Sequence, residues 1–418
     1  MLVFKFGGAS VKDAAGMVNL ANVVKKYQND QLLIVVSAMG KTTNALEKLT
    51  KAYVNGDDEL HTVYDDIKKY HYTILEQLFD ADHPIFNEVA NTFVEIDWII
   101  EEEPHDDYDF IYDQIVSIGE LVSTRIVNAY LNKTGLKSHW LDVRGYIHTD
   151  NTYREGVVEW TKTRAGISQD IPGLMQKGIV VTQGFLGGTS ENFTTTLGRE
   201  GSDYTASIFA ACLGAESVTT WKDVPGILNA DPKFFNDTVK FDELSYTEAI
   251  EMTYYGASVI HPKTIKPLQN ARIPLFVKSF TNPDEAGTVI KENGINHFTK
   301  PVIILKQNQV LLSLSAKDYS FISENHLSSI FGLFAQRQVK VNMMQTSALS
   351  FTVCIDYNED RFKKLLQGLG DDFNVKYNAG LTLITVRHYS QASLKELTDN
   401  KIILLEQVSR NTMQMVVK

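Results

Sequence analysis

Twice in succession near its N-terminus the chain runs through a short apolar strand, a turn and a helix, and that repetition selects an open, mainly parallel sheet. Leu2 to Phe6 alternates as a strand, Gly7 and Gly8 end it, and Ser10 is placed to cap a helix reaching about Tyr27. Leu32 to Ser37 then reads as a buried strand, AMGKTT as a loop, and Asn44 to Tyr53 as a helix. In such sheets ligands gather at the carboxyl ends of the strands, where Gly7, Gly8 and the loop Ser37 to Thr43 fall. Gly40, Lys41 and Thr42 resemble the tail of a Walker A motif, but Val35 occupies the place of its first glycine, so a P-loop is rejected. Lys5, beside the glycine pair, is the better candidate for reaching phosphate oxygens; the plainer reading is an edge lysine with its stem on apolar surface.

A second constellation is TTTLGREGSD at Thr194 to Asp203, which follows the buried strand GIVVTQGFLGG and precedes a helical run. The threonines offer hydroxyls, and Gly198 and Gly201 allow backbone N–H groups to turn toward an anion. The helix start favours phosphate or carboxylate, and Arg199 adds a planar donor fork. Against this stands an ordinary polar turn capped by Ser202 or Asp203. Glu120, next to Gly119 within a helical pattern from Asp109 to Leu131, is placed to hold an ammonium group, or is a helix-paired surface acid. Lys222, Asp223 and Lys233 stand at turns after a strand, where they contact a nucleotide or simply end the strand.

At 418 residues with 44% apolar content the chain holds two or three domains with ample core. A net charge of −11 without a basic block argues against nucleic acid or an anionic membrane as main partner. The two cysteines, Cys212 and Cys354, sit in apolar runs and suit a reducing compartment rather than a disulfide framework. The start of the chain has no apolar signal region and runs such as LLIVV are strand-sized, which predicts a cytoplasmic protein. The stretch Asp58 to Ile100 reads as helical, with His61, His71 and His83 at the surface and without metal-ligand spacing.

KFGGAS at 5 to 10, SIGE at 117 to 120, TTTLGREGSD, WKDVPGILNADPK at 221 to 233 and GASVIHPKTIKP at 256 to 267 occur in the order and spacing of the aspartate kinases, and the chain resembles that family throughout. The resemblance implies an amino acid kinase fold over 1–293. It implies transfer of the γ-phosphoryl of ATP, with Mg2+, to the side-chain carboxylate of L-aspartate, the first step toward lysine, threonine and methionine. It casts Lys5 and Asp203 as catalytic, Arg199 as clamp of the α-carboxylate, Glu120 as receiver of the α-ammonium, and Ser37 and Thr43 as substrate contacts. Lys5, Gly7, Gly8, Trp221, Lys222, Asp223, Leu228, Lys233, Ser258 and Val259 align with nucleotide contacts; no resident metal site is implied. Glu200 stands where the family has a glycine, Ser258 where it has a lysine, Leu228 for a tyrosine and Lys233 for an arginine, departures that bear on ATP and aspartate affinity.

From about residue 300 short strands and helices alternate and resemble paired ACT domains, 307–378 and a shortened 379–418 in which a final helix and strand are absent and residues 299–306 fill in. Asn342, Thr346 and Ser347 fall in the family's effector region, but Asn342 and Ala348 replace acids that receive an effector's ammonium, which argues against feedback by lysine. The ACT pair then serves chiefly as a homodimer interface, the favoured reading because its sheet edges need covering, or binds another amino acid. Two other readings of the chain stay open: a catalytically weak amino-acid-binding regulator of the same fold, and a kinase for another small carboxylic acid.

Overall fold

The computed structural model describes every residue except 258, 259, 295–297, 299 and 400, so the proposed contacts Ser258 and Val259 lie outside the described residues. The chain divides into two compact units, one of residues 1–227, 240–250 and 258–296, the other of 228–239, 251–257 and 297–418.

The first unit begins with β1 (Leu2–Phe6), α1 (Ala14–Lys25), β2 (Leu32–Val36) and α2 (Thr42–Asn55), the expected strand–helix pairs. The cap of α1 is Asp13, whose carboxylate accepts from Gly16 N at 2.7 Å, not Ser10, which lies in a 3-10 turn before it. Then come α3 (Leu60–Leu78), α4 (Ile85–Ile100), α5 (Tyr108–Val116), α6 (Ile118–Lys133), β3 (Ser138–Leu141), α7 (Trp160–Met175) and β4 (Ile179–Gln183). A hairpin of β5 (Leu186–Gly188) and β6 (Thr194–Thr196) leads into α8 (Gly201–Leu213), followed by β7 (Ser217–Lys222), β8 (Glu243–Ser245), α9 (Tyr246–Tyr255), α10 (Pro262–Ala271), β9 (Leu275–Ser279) and β10 (Thr288–Lys291).

Eight strands form one sheet in the order β3-β4-β2-β1-β7-β9-β10-β8, and only the β9–β10 pair is antiparallel. Because β1, β2, β4 and β7 are parallel neighbours, their carboxyl ends fall along one edge: Ser37 N donates to Phe6 O at 3.1 Å and Gly184 N to Val36 O at 2.9 Å. The central strands are apolar on both faces, as a sheet covered by helices requires, and every residue of β2 is buried.

In the second unit β11 (Val302–Ala316), α11 (Glu324–Gln336), β12 (Val341–Thr346), β13 (Phe351–Asp356), α12 (Glu359–Leu369), β14 (Phe373–Arg387), α13 (Gln391–Thr398), β15 (Ile403–Val408) and β16 (Thr412–Val417) build a sheet in the order β12-β13-β11-β14-β16-β15. This antiparallel sheet is ACT-like. β11 and β14, each 15 residues long, run through both halves of it, and Val302 to Lys306 pairs with Leu383 to Arg387. A cluster centred on Leu312, Phe334, Val353 and Leu365 fills one half, and Ile384, Leu397 and Met415 pack the other.

Candidate active site

Strand ends, two glycine turns and the start of α8 converge on one polar centre of the first unit. Lys5, the penultimate residue of β1, is 8% exposed, and its Nζ lies 2.8 Å from Asp203 Oδ1, an ion pair off hydrogen-bond alignment. Asp203 is carried by the first turn of α8, where the helix's free N–H groups favour an anion. Its other oxygen lies 3.4 Å from Nζ of Lys222 at the end of β7. Burial pushes the Asp203 carboxyl up, but Lys222 and Lys5 outweigh it and hold the group below the usual carboxylate range. With both lysines charged, the trio carries one positive charge over, inside a protein of net charge −11.

The glycines set the approach of the backbone. A Cβ on Gly8 would stand 2.6 Å from Ala38 O and 2.9 Å from Gly40 O, so only glycine lets the β1 turn pack on the β2 loop. On Gly119 a Cβ would come within 3.0 Å of Leu46 and 3.1 Å of Ala38, which is how α6 brings Glu120 against the same loop. Glu120 is 2% exposed; its Oε1 accepts from Ala38 N at 3.3 Å and its Oε2 has no hydrogen-bond partner. Burial raises its carboxyl to about 8, against the Ala38 N–H and the nearby charge of Lys5. A buried acid with one free oxygen is suited to receive an ammonium ion.

Ser37 and Thr43 are half-buried, Ser37 directly after β2 and Thr43 in the first turn of α2. Arg199 is exposed and forms no ion pair among the described residues, which leaves its guanidinium available to a carboxylate. Glu200, beside it, has a left-handed backbone at φ 54° and ψ 29°, the conformation that a glycine adopts without strain. Burial raises the Glu200 carboxyl, while Lys222, Lys5 and Arg199 pull it down and Asp203 pushes it further up.

The predicted residues divide accordingly. Lys5, Glu120, Asp203 and Lys222 are joined by ion pairs or electrostatic coupling, with Gly7 and Gly8 in the adjoining turn. Asp223 is exposed just beyond β7. Trp221 is 1% exposed, with its ring stacked on Phe6 at 6.2 Å, so its side chain belongs to the core and only its backbone can meet a ligand. Leu228, half-buried, and Lys233, exposed, belong to the second unit. So do the effector-region residues: Asn342 bridges Lys306, Gln309 and Asp356, Thr346 is exposed at the end of β12, and Ser347 closes a turn on Ser350.

Two residues escaped the sequence reading. His71 is fully buried rather than at the surface, its Nδ1 donating to Ile67 O at 2.8 Å and its Nε2 lying 3.4 Å from Thr42 Oγ1. Its place on the apolar face of α3, in step with Ile67, Ile74 and Leu78, was the signal that could have found it. Asp113 is also fully buried, and its carboxylate holds the backbone at Arg154 and Thr196. Among the described residues no group of three or more His, Cys, Asp or Glu side chains is arranged to hold a metal ion.

A parallel sheet with glycine turns and a lysine–aspartate–lysine centre at its carboxyl edge, and no Walker A loop, is the kind of site that the comparisons with known proteins match. Residues 1–279 match the Amino acid kinase family. Lysine-sensitive aspartokinase 3 of Escherichia coli (strain K12) is 32% identical over 85% of this chain and 78% of its own length. Aspartokinase 2, chloroplastic, of Arabidopsis thaliana is 31% identical over 88% of this chain and 69% of its own. The structure of E. coli aspartokinase III in complex with aspartate and ADP superposes with a TM-score of 0.86 at 29% identity, covering 100% of this chain and 96% of that one. The chain belongs to the aspartokinases of the amino acid kinase family.

Proposed function

We propose that this chain transfers the γ-phosphoryl group of ATP to the side-chain carboxylate of L-aspartate. The observation that carries the reading is the buried Lys5–Asp203–Lys222 centre, with Glu120 coupled to Lys5 and Arg199 free four residues before Asp203. An aspartokinase structure holding aspartate and ADP, at 29% identity over the whole chain, supports both substrates.

Phosphoryl transfer asks a protein for positioning and for positive charge around the equatorial oxygens. Lys5 and Lys222 supply that charge, and the glycine turn at Gly7 and Gly8 leaves room for phosphate to approach the backbone. Asp203, 2.8 Å from one ammonium group and 3.4 Å from the other, holds both in place. Arg199 takes the α-carboxylate of aspartate and Glu120 its α-ammonium, which leaves the β-carboxylate as the only acid group free to react. One of its oxygens bonds to the γ-phosphorus as the bond to the bridging oxygen of ADP breaks. No proton has to move, because the attacking carboxylate is already ionised and ADP leaves as an anion. Mg2+ bound together with ATP would supply further charge neutralisation at the phosphates.

The same reading places the chain at the entry to lysine, threonine and methionine synthesis in the cytoplasm, as a homodimer through the ACT-like sheet. The exposed apolar residues of the β15 strand and its approach, Ile402, Ile403, Leu404 and Val408, suit a face covered by a second copy. Hydroxylamine traps the acyl phosphate in an assay with MgATP and L-aspartate. Aspartate-dependent hydroxamate that disappears in Lys5→Ala is the expected result. ATP binding without hydroxamate would overturn the reading.

A further inference from the structure

The two groups that anchor the amino-acid end of the acceptor, Glu120 and Arg199, stand on separate elements, and α5 ties those elements together. α5 is joined to α6 through Ser117 alone, and Glu120 lies in the first turn of α6. On its other side α5 presents consecutive residues, Asp113 and Gln114, to the edge of β6. Gln114 takes both backbone groups of Thr194, its Oε1 accepting from N at 3.1 Å and its Nε2 donating to O at 2.9 Å. Asp113 Oδ2 accepts from Thr196 N at 2.9 Å and Oδ1 from the Thr196 hydroxyl at 2.7 Å. Oδ2 also accepts from Arg154 N at 2.8 Å, and Gly156 N completes the edge by donating to Thr196 O at 2.8 Å.

Thr194 and Thr196 are alternate residues, so their backbone groups point to the edge of β6 that β5 does not occupy. Two side chains of α5 thus stand in for a third strand. Only Leu197 and Gly198 separate this pinned edge from Arg199. Asp113 is fully buried, so water does not compete for its bonds, and its oxygens accept from β6 and from the backbone at Arg154 at once.

We propose that Asp113 and Gln114 are positioning residues that hold Glu120 and Arg199, the anchors of the α-ammonium and α-carboxylate, in place against the Lys5–Asp203–Lys222 centre, and so set the length of the dicarboxylic amino acid that the site accepts. The inference rests on the aspartate reading above. L-Glutamate carries the same α-groups on a side chain longer by one methylene, so with those groups held its side-chain carboxylate overshoots the position that the aspartate carboxylate takes beside the phosphate-binding lysines, and a rigid placement rejects it. A purely structural Asp113 would affect stability and leave this preference alone.

The test measures kcat and KM for L-aspartate, L-glutamate and ATP in the wild type and in Asp113→Asn, Gln114→Ala and Thr196→Val. Asn removes the charge that meets the two backbone N–H groups and turns its amide N–H toward the Thr196 hydroxyl, Ala releases Thr194, and Val removes only the 2.7 Å hydroxyl bond. The expected result is a rise in KM for L-aspartate of on the order of ten- to a hundredfold in Asp113→Asn and less in the other two. KM for ATP should stay within about threefold of wild type. The preference for aspartate over glutamate should fall by about tenfold. If Asp113→Asn does not fold, Gln114→Ala and Thr196→Val decide the matter. An active wild type whose folded variants keep its aspartate-to-glutamate preference overturns the positioning role alone. A wild type without aspartate-dependent hydroxamate overturns the acceptor reading, and the positioning role with it.

Discussion

Neutralising Glu120 should make the protein more stable and its acceptor binding worse, and both effects should follow pH in ways set by its burial. Burial holds the folded carboxyl near 8, against 4.5 for an ordinary glutamate, with the Ala38 N–H and Lys5 pulling the other way. As pH rises, the unfolded chain therefore loses this proton first. The stability that the protonated group contributes is complete in acid and is lost between about 4.5 and 8. Each pH unit of that window is worth about 1.4 kcal/mol, so the loss at pH 7 is on the order of 3 kcal/mol. Glu120→Gln removes the titration while keeping an oxygen for Ala38 N. Its stability relative to wild type, from urea unfolding at several pH values, should climb by about 1.4 kcal/mol per unit between pH 5 and 8.

Function moves in the opposite direction. An ammonium needs the carboxylate form, which falls about tenfold per pH unit below the folded pKa. For wild type, kcat/KM for L-aspartate should rise toward pH 8 and then level off. The Gln variant loses a charge-assisted bond worth roughly 1.5–3 kcal/mol, a ten- to hundredfold rise in KM, and its profile should be flat through this window. A stability difference that is the same at pH 5 and pH 8 would refute the burial argument. A wild-type kcat/KM that is flat from pH 6 to 8 would refute the ammonium assignment.

Glu200→Gly should stabilise the protein by about 0.5–1 kcal/mol, because the left-handed backbone costs a side-chain residue about 1–2 kcal/mol and the added freedom of glycine returns part of that. Thermal unfolding checks it, and a lower Tm would show that the half-buried carboxylate holds the turn. His71 is held neutral by burial, its pKa lowered to about 4 from 6.5. The unfolded chain takes the proton first as pH falls, so stability present above 6.5 is lost toward 4, at about 1.4 kcal/mol per unit. His71→Gln should flatten that slope in urea unfolding between pH 7 and 5, and an unchanged slope would count against it. Asn342→Asp removes donors to Gln309 and Asp356 and sets two carboxylates together, a cost of about 1–3 kcal/mol measured by denaturation. L-Lysine added to the hydroxamate assay should leave turnover unchanged, since the amide of Asn342 is committed to its neighbours and offers no charge to an ammonium.

What was legible in the sequence was what local backbone demands. Gly8 and Gly119 announced close approach, because a Cβ there would crowd the loop after β2, and Glu200 announced strain because a side chain stands in a glycine turn. Punctuation read as local turns was less dependable. Asn308, at φ 56°, and Gly380, at φ 70°, look like strand ends, yet β11 and β14 run past them through irregular register. Long antiparallel partners supply enough ladder bonds to absorb a bulge, which a reading confined to one strand cannot weigh. Asp113 and His71 were missed for a related reason. An aspartate in YDFIYDQIV carries no mark of burial, because the groups that justify burying it, Arg154 N and Thr196 N, lie 41 and 83 residues further along. The residues proposed to touch the ligand are thus carried by motifs, whereas those proposed to position them are specified by distant backbone. Chemistry is therefore easier to read from this chain than specificity, and the control proposed for the choice between aspartate and glutamate lies in α5, where no motif points.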